Sequence, residues 1–131
     1  MSKFESKLSN FKLALLRLKE AADELERNKA SDVIRDGVIQ RFEFTYELAW
    51  KTTKEYLEGL GIVDNNAPKT VIKAAYTHKV ITHEQNWLLM LNDRNLTTHV
   101  YNEQMAQEIV VRIIDCYINE FEKLIQEMSK P

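Results

Sequence analysis

Residues 31–61 read SDVIRDGVIQRFEFTYELAWKTTKEYLEGLG, and this stretch decides the fold. Ser31 is a helix N-cap residue type, and Gly59-Leu60-Gly61 is a stop signal, so a helix is expected from about Asp32 to Glu58. At 1.5 Å per residue it would be about 40 Å long. Ile39, Phe42, Tyr46, Ala49, Thr53 and Tyr56 follow helical spacing along one seam, whereas Phe44, Leu48, Trp50 and Leu57 lie off it. An apolar surface wider than one stripe implies burial on two sides. One side belongs to a bundle core, and the other is read as a partner surface, most simply for a second copy of the chain.

Working outward, Phe4, Leu8, Phe11, Leu15, Leu18, Ala22 and Leu25 recur in alternating steps of four and three, predicting a first amphipathic helix to about Asn28. Residues 60–67 form the longest evident loop. Pro68 suits the first turn of a short third helix reaching about Thr77. Thr82 with Gln85 has the spacing of a capping box, placing the start of a fourth helix there, through Trp87, Leu88 and Leu91. That helix is expected to fail around Arg94–Thr98, where Asn95, Thr97 and Thr98 are poor helix formers. Asn102 can cap a last helix whose apolar face is Ala106, Val110, Ile113, Tyr117, Phe121, Leu124 and Met128.

The whole 131-residue chain agrees with this pattern. It holds only three Gly and two Pro, too few turn formers for a sandwich or barrel, and 44% hydrophobic residues supply a core. The expectation is an all-α chain: one domain over residues 1–131, an antiparallel up-and-down four-helix bundle with one extra short helix, dimerising. Cys116 is the single cysteine, which excludes an intramolecular disulfide framework. The apolar run Trp87–Leu91 is far short of the roughly 20 residues that span a bilayer. The first five residues lack an apolar signal core, so the reading is cytoplasmic with no membrane partner. Eighteen Lys and Arg against 20 Asp and Glu give a net charge of -2, which argues against a generic nucleic-acid coat.

Most standard sites are absent from the sequence. It has no Gly-rich phosphate loop and no cysteine pair, and none of the three histidines stands in a Glu-x-x-His spacing, so no metal or other cofactor is expected. His78 and His83 are read as solvent-exposed. The stretch Arg94-Asn95-Leu96-Thr97-Thr98-His99-Val100-Tyr101 is different. Arg94 and His99 are five apart, so a continuous helix would separate them, while a break after Arg94 would let the chain turn and bring both to one spot. A fixed cation, a group that exchanges protons near neutral pH and a phenol together suit work on a phosphodiester. The alternative is structural: Arg94 pairing with Asp93 or a helix C-terminus, and His99 capping the turn. Arg41 and Glu43 form a secondary candidate pair in the aromatic second helix, either as structural ion pairs or in view of the same site. Arg35, Asp36 and the Glu47–Lys51 pair are read as solvated or helix-stabilising. Lys69, Lys73 and Lys79 belong to a solvated face or line an RNA path.

The motif Arg94-Asn95-x-x-x-His99-x-Tyr101 resembles the Arg-x4-His-x-Tyr motif of the HEPN superfamily, in its HepT-like branch of nucleotidyltransferase substrate-binding proteins. Two further blocks carry the resemblance, Arg35 to Lys51 and Trp87 to Asn95, and the likeness runs from about residue 4 to 125. The resemblance implies a helical bundle that forms a homodimer, or a higher assembly of two dimers, with the motifs of two subunits meeting in one cleft. It further implies metal-independent RNA cleavage by the ribose 2′-hydroxyl. His99 would then transfer the proton, Arg94 would stabilise charge on the phosphorane, and Asn95 would be the accompanying polar residue. The implied partner is a small nucleotidyltransferase that acts as antitoxin and adds AMP to Tyr101. The branch also contains substrate-binding proteins without established nuclease activity, so a non-catalytic subunit of a nucleotidyltransferase complex stands as the alternative.

Overall fold

The computed structural model describes residues 1–63, 66–99 and 102–131. Ser2 begins the first helix, its side chain accepting a hydrogen bond from the Glu5 amide at 3.1 Å, and α1 runs Lys3–Arg27. Ser31 caps α2 (Asp32–Gly59) in the same way, accepting from the Ile34 amide at 3.2 Å. At its far end Gly61 takes φ +85°, and the Ile62 amide reaches back to the Leu57 carbonyl at 2.9 Å. This is the left-handed closure that glycine adopts without steric cost.

The three residues Lys3, Lys7 and Ala14 of α1 meet Glu55, Thr52 and Thr45 of α2, so the two helices are antiparallel. Two of these contacts are threonine hydroxyls donated to the backbone carbonyls of Lys7 and Ala14. They satisfy polar groups that would otherwise be buried unbonded. The short helix α3 (Pro68–Thr77) follows, with Pro68 in its first turn. It closes through Lys79, at φ 63°, with the Val80 amide bonded to the Ala75 carbonyl at 2.8 Å.

Two expectations for the fourth helix require correction. α4 spans Glu84–His99, and its first amides bond back to the His83 carbonyl, so Thr82 is not the cap. Its N-terminal turn is tied to the last helix: His83 Nδ1 and Asn86 Nδ2 lie 3.1 and 3.0 Å from the buried Glu120 carboxylate, which places a negative charge at the positive end of α4. Nor does the helix fail at Arg94–Thr98. The Thr97 and Thr98 hydroxyls bond back to the carbonyls of Arg94 and Asn95 at 2.9 and 2.8 Å, which absorbs their polar side chains within the helix.

Asn102 caps α5 (Glu103–Arg112) as the sequence indicates, its side chain accepting from the Met105 amide. The chain then passes through a π-helical turn over Ile113–Tyr117, where the Ile118 amide bonds to the Ile113 carbonyl, and continues as α6 (Ile118–Met128). Arg35, Phe42 and Thr53 of α2 meet Glu103, Tyr117 and Met128 in that order, so the last helix runs parallel to α2. It runs antiparallel to α4, where His83 meets Glu120 and Asp93 meets Arg112. The result is an all-α up-down-up-down bundle with α3 as the additional element. Its centre is aromatic: Phe42 stacks on Tyr117 with centroids 5.4 Å apart, and Phe11 and Trp87 set their rings edge-on against Phe121. Among the described residues no helix is long and apolar enough to cross a membrane.

The off-seam residues of α2 divide. Leu57 is fully buried and belongs to the core, and Trp50 is half-buried. Phe44 is 62% exposed and, with Leu13 and Leu48, lines a cleft of about 580 Å³ between α1 and α2.

Candidate functional site

The second half of α4 faces α2, and this is where the sequence candidates gather. Arg94 is a largely sheltered cation, with its side chain 24% exposed. Its Nη1 lies 3.6 Å from Glu43 Oε2 and its Nε lies 3.6 Å from Glu47 Oε1, so carboxylates one turn apart on α2 bracket the guanidinium. The Thr97 hydroxyl donates to Glu43 Oε2 at 2.9 Å, and Trp50 Nε1 donates to Glu47 Oε2 at 3.2 Å. Each glutamate is therefore oriented by a neutral donor besides Arg94. At 3.6 Å neither contact to Arg94 has hydrogen-bond geometry.

Two polar atoms at this spot are buried without a hydrogen-bond partner: the Tyr46 hydroxyl and Arg94 Nε. Burial pushes the Tyr46 phenol well above its usual range, the nearby Glu47 charge adds to the rise, and Arg94 opposes it. Tyr46 is thus held as a neutral phenol against the arginine.

Behind Arg94 sits a second, fully bonded cluster. Asp93 is fully buried and receives two parallel bonds of 2.8 Å from Arg112 Nε and Nη2, and a third of 2.5 Å from the Tyr117 hydroxyl. Burial first, and then Asp93, drive the Tyr117 phenol far above the ordinary tyrosine range, while the bonds to Asp93 raise Arg112 further. Arg112 and Tyr117 are five apart and would diverge by about 140° on an α-helix. The i→i+5 turn that links them stacks residues five apart, so both side chains converge on one carboxylate. Asp93 thereby fixes the turn of α4 that carries Arg94.

Of the sequence candidates, Arg94 and Glu43 come together, and Glu47, Thr97 and Tyr46 join them. The alternative pairing of Arg94 with Asp93 is not found, because Asp93 is taken by Arg112 and Tyr117. Asn95 is exposed, one helical step round from Arg94. Arg41 is separate from this site: it is exposed on the α1 side, beside Arg17 and Phe44, and makes no ion pair among the described residues. His99 ends α4, and the side chain of His99 and the whole of Tyr101 lie outside the described residues. Because α4 is continuous, its backbone places position 99 about 140° round from position 94, and a turn after Arg94 does not bring them together within one chain. His78 and His83 are exposed, as read from the sequence, although His83 also holds Glu120. Lys69, Lys73 and Lys79 are exposed. Arg35 is nearly buried and pairs with Asp32, Asp36 and Glu103, a tie between α2 and α5 rather than a solvated charge.

Sequence reasoning missed the Asp93–Arg112–Tyr117 cluster and the part played by Glu47. The signal for the first was an acidic residue within an apolar run, Trp87 to Leu91 followed by Asn92 and Asp93, which calls for a buried partner.

Residues 6–130 match the profile of a family described as nucleotidyltransferase substrate binding protein like. The chain is 26% identical over 111 residues to a probable ribonuclease HepT of Haemophilus influenzae, covering 82% of this chain and 75% of that relative. A protein of Thermus thermophilus with a crystal structure is 36% identical and superposes with a TM-score of 0.83, over 92% of this chain and 99% of the other. The tri-AMPylated HEPN toxin of Shewanella oneidensis, solved in complex with its MNT antitoxin, superposes with a TM-score of 0.79 at 18% identity, over 98% of both chains, a likeness of fold.

Proposed function

The chain belongs to the nucleotidyltransferase substrate-binding-like family, and from that premise we propose that it is the HepT-like member of a cytoplasmic toxin–antitoxin pair and acts as a metal-independent endoribonuclease. The observation that carries this reading is Arg94, a sheltered guanidinium with no hydrogen bond to its flanking carboxylates, in the first position of an intact Arg94-Asn95-x-x-x-His99-x-Tyr101 stretch. A cation held this way by its neighbours, and not consumed by them, is available to a phosphate oxygen.

In the proposed reaction Arg94 binds the scissile phosphate and stabilises the charge that builds on the phosphorane. His99 transfers a proton at an ester oxygen, and Asn95 supplies a further polar contact. The active unit is a homodimer. The angular separation of positions 94 and 99 on α4 supports a cleft in which one protomer's Arg94 works beside the other's motif. The cognate partner is a minimal nucleotidyltransferase, which silences the site by transferring AMP to Tyr101. Support comes from the AMPylated, antitoxin-bound state of the Shewanella oneidensis toxin of the same fold.

The test is cleavage of single-stranded RNA by purified protein in EDTA, beside Arg94→Ala and His99→Ala. Cleavage by wild type that both variants lose is the expected result. An unmodified dimer that leaves RNA intact would instead favour a second reading, a non-catalytic substrate-binding subunit of a nucleotidyltransferase. The observation favouring that reading is the pair of carboxylates facing Arg94, which repel a phosphate in the resting state. Mass spectrometry after incubation with the partner enzyme and ATP is expected to find AMP on Tyr101, and a Tyr101→Phe variant that still gains AMP would remove that assignment.

A further inference from the structure

Glu43 and Glu47 both approach Arg94, yet they are not equivalent. Both oxygens of Glu47 are engaged: Oε1 faces the buried Arg94 Nε, and Oε2 receives Trp50 Nε1 and lies 3.8 Å from Lys51 Nζ. Both contacts of Glu43 fall on Oε2, from Thr97 and from Arg94 Nη1, the outer end of the guanidinium. Its Oε1 accepts no hydrogen bond among the described residues, and the side chain is 25% exposed. The Arg94 guanidinium meets both carboxylates at 3.6 Å, beyond hydrogen-bond reach. A phosphate bound at the outer edge of Arg94 would therefore sit beside a carboxylate on the facing helix that Thr97 orients through Oε2 and whose Oε1 accepts no hydrogen bond among the described residues.

We infer that Glu43 is the general base of the RNA cleavage proposed above: its Oε1 takes the proton of the 2′-hydroxyl while Arg94 holds the adjacent phosphate. The inference rests on the nuclease reading and adds a residue to it. As the O2′–H proton passes to Glu43, the O2′–P bond forms and the P–O5′ bond breaks, and the 5′-oxygen takes a proton from the imidazolium of His99. The products are a 2′,3′-cyclic phosphate and a 5′-hydroxyl end, and solvent returns the proton from Glu43 to His99.

Electrostatics favours this order of events. In the resting site two carboxylates neutralise Arg94 and oppose an incoming phosphate. Protonation of Glu43 removes one of those negative charges at the moment the phosphorane gains one, so Arg94 changes partner as the transition state forms. An interaction that strengthens only in the transition state raises kcat rather than binding. Glu43 thus makes ground-state binding weaker and the chemical step faster.

The experiment uses full-length dimer in EDTA with two substrates, a ribodinucleotide and uridine 3′-(4-nitrophenyl phosphate), whose leaving group departs without a proton. Glu43→Gln is expected to lower kcat by about 100-fold or more on both, as loss of a general base does, with KM unchanged or reduced. His99→Ala is expected to lose the dinucleotide reaction and keep most of its rate on the nitrophenyl ester. Glu43→Asp, which retains the carboxylate, is expected to recover part of the rate, and unchanged melting of both Glu43 variants separates chemistry from folding. A Glu43→Gln enzyme with wild-type kcat, or one whose loss is confined to KM, overturns the assignment, as does a His99→Ala enzyme that is dead on the nitrophenyl ester while Glu43→Gln is active. Wild-type protein that cleaves neither substrate removes the nuclease reading and this inference with it.

Discussion

Tyr46 and Asp93 show two opposite ways of burying a polar group one helix apart. The Tyr46 hydroxyl is buried and unbonded, so removing it deletes a desolvation cost and no hydrogen bond. Tyr46→Phe is expected to leave stability unchanged or raise it by up to about 1 kcal/mol in urea unfolding. Asp93 is buried and triply bonded, and Asp93→Ala removes the acceptor of all three bonds. A loss of about 1–3 kcal/mol is expected in the same assay, because the Tyr117 hydroxyl is left buried without its acceptor while Arg112 keeps contact with water. The two buried phenols also set the alkaline limit. Both Tyr46 and Tyr117 have folded-state pKa values raised above the ordinary tyrosine value near 10, so above that pH the unfolded chain releases protons that the folded chain keeps. Stability from these groups is complete below about pH 10 and falls above it by about 1.4 kcal/mol per pH unit for each tyrosine. Tyr46→Phe is expected to halve that slope, measured as unfolding free energy between about pH 9.5 and 11. None of this was legible in the sequence, since the helical seam predicts only that positions 46 and 117 face inward and says nothing of which polar atoms find partners.

At the level of elements, the starts of α1, α2 and α5 follow from Ser2, Ser31 and Asn102, residue types whose short side chains accept the first free amides. Ser31→Ala is expected to cost about 1 kcal/mol in urea unfolding. The end of α3 is different, because Lys79 holds a left-handed conformation that glycine would adopt freely. Lys79→Gly is therefore expected to stabilise by up to about 1 kcal/mol, and Lys79→Val to destabilise, both read from thermal melts. The persistence of α4 past Arg94 and the turn in the last helix both escaped the sequence reading, and both have tertiary causes. Weak helix formers at Asn95, Thr97 and Thr98 stay helical because the turn before them is anchored through Asp93 and because Thr97 bonds to Glu43. The π-turn is invisible to a periodicity argument, since the core positions Ile113, Tyr117 and Phe121 fit an ordinary helix well enough. Its reason for being is the convergence of Arg112 and Tyr117 on Asp93, an earlier helix's carboxylate that no local pattern encodes.

For the molecule as a whole, the second apolar face read from α2 survives in reduced form. Leu57 turned inward, but Phe44 stands exposed over the α1–α2 cleft with Leu13 and Leu48. If this face meets a second copy, Phe44→Asp is expected to lower the mass seen by sedimentation equilibrium while leaving the monomer's fold intact, because the side chain contributes little to the core. An unchanged mass would place the interface elsewhere. The all-α bundle itself was readable from composition and seams, and so was Arg94 as a focus. The company Arg94 keeps was not, because Glu43 and Glu47 belong to a distant stretch of chain and look like solvated helix charges. The π-turn finally lets the last helix carry one residue more than its inward faces need. A surplus residue taken up in such a turn leaves α5 and α6 in nearly the phase of one uninterrupted α-helix. With one residue excised there, Arg112 and Tyr117 would stand four apart, on one face of an ordinary helix and both within reach of Asp93. Deletion of the half-exposed Ile114 is thus expected to lower the melting temperature far less than deletion of the exposed Asn119, where nothing absorbs the lost rotation of about 100° and Phe121 would leave the core.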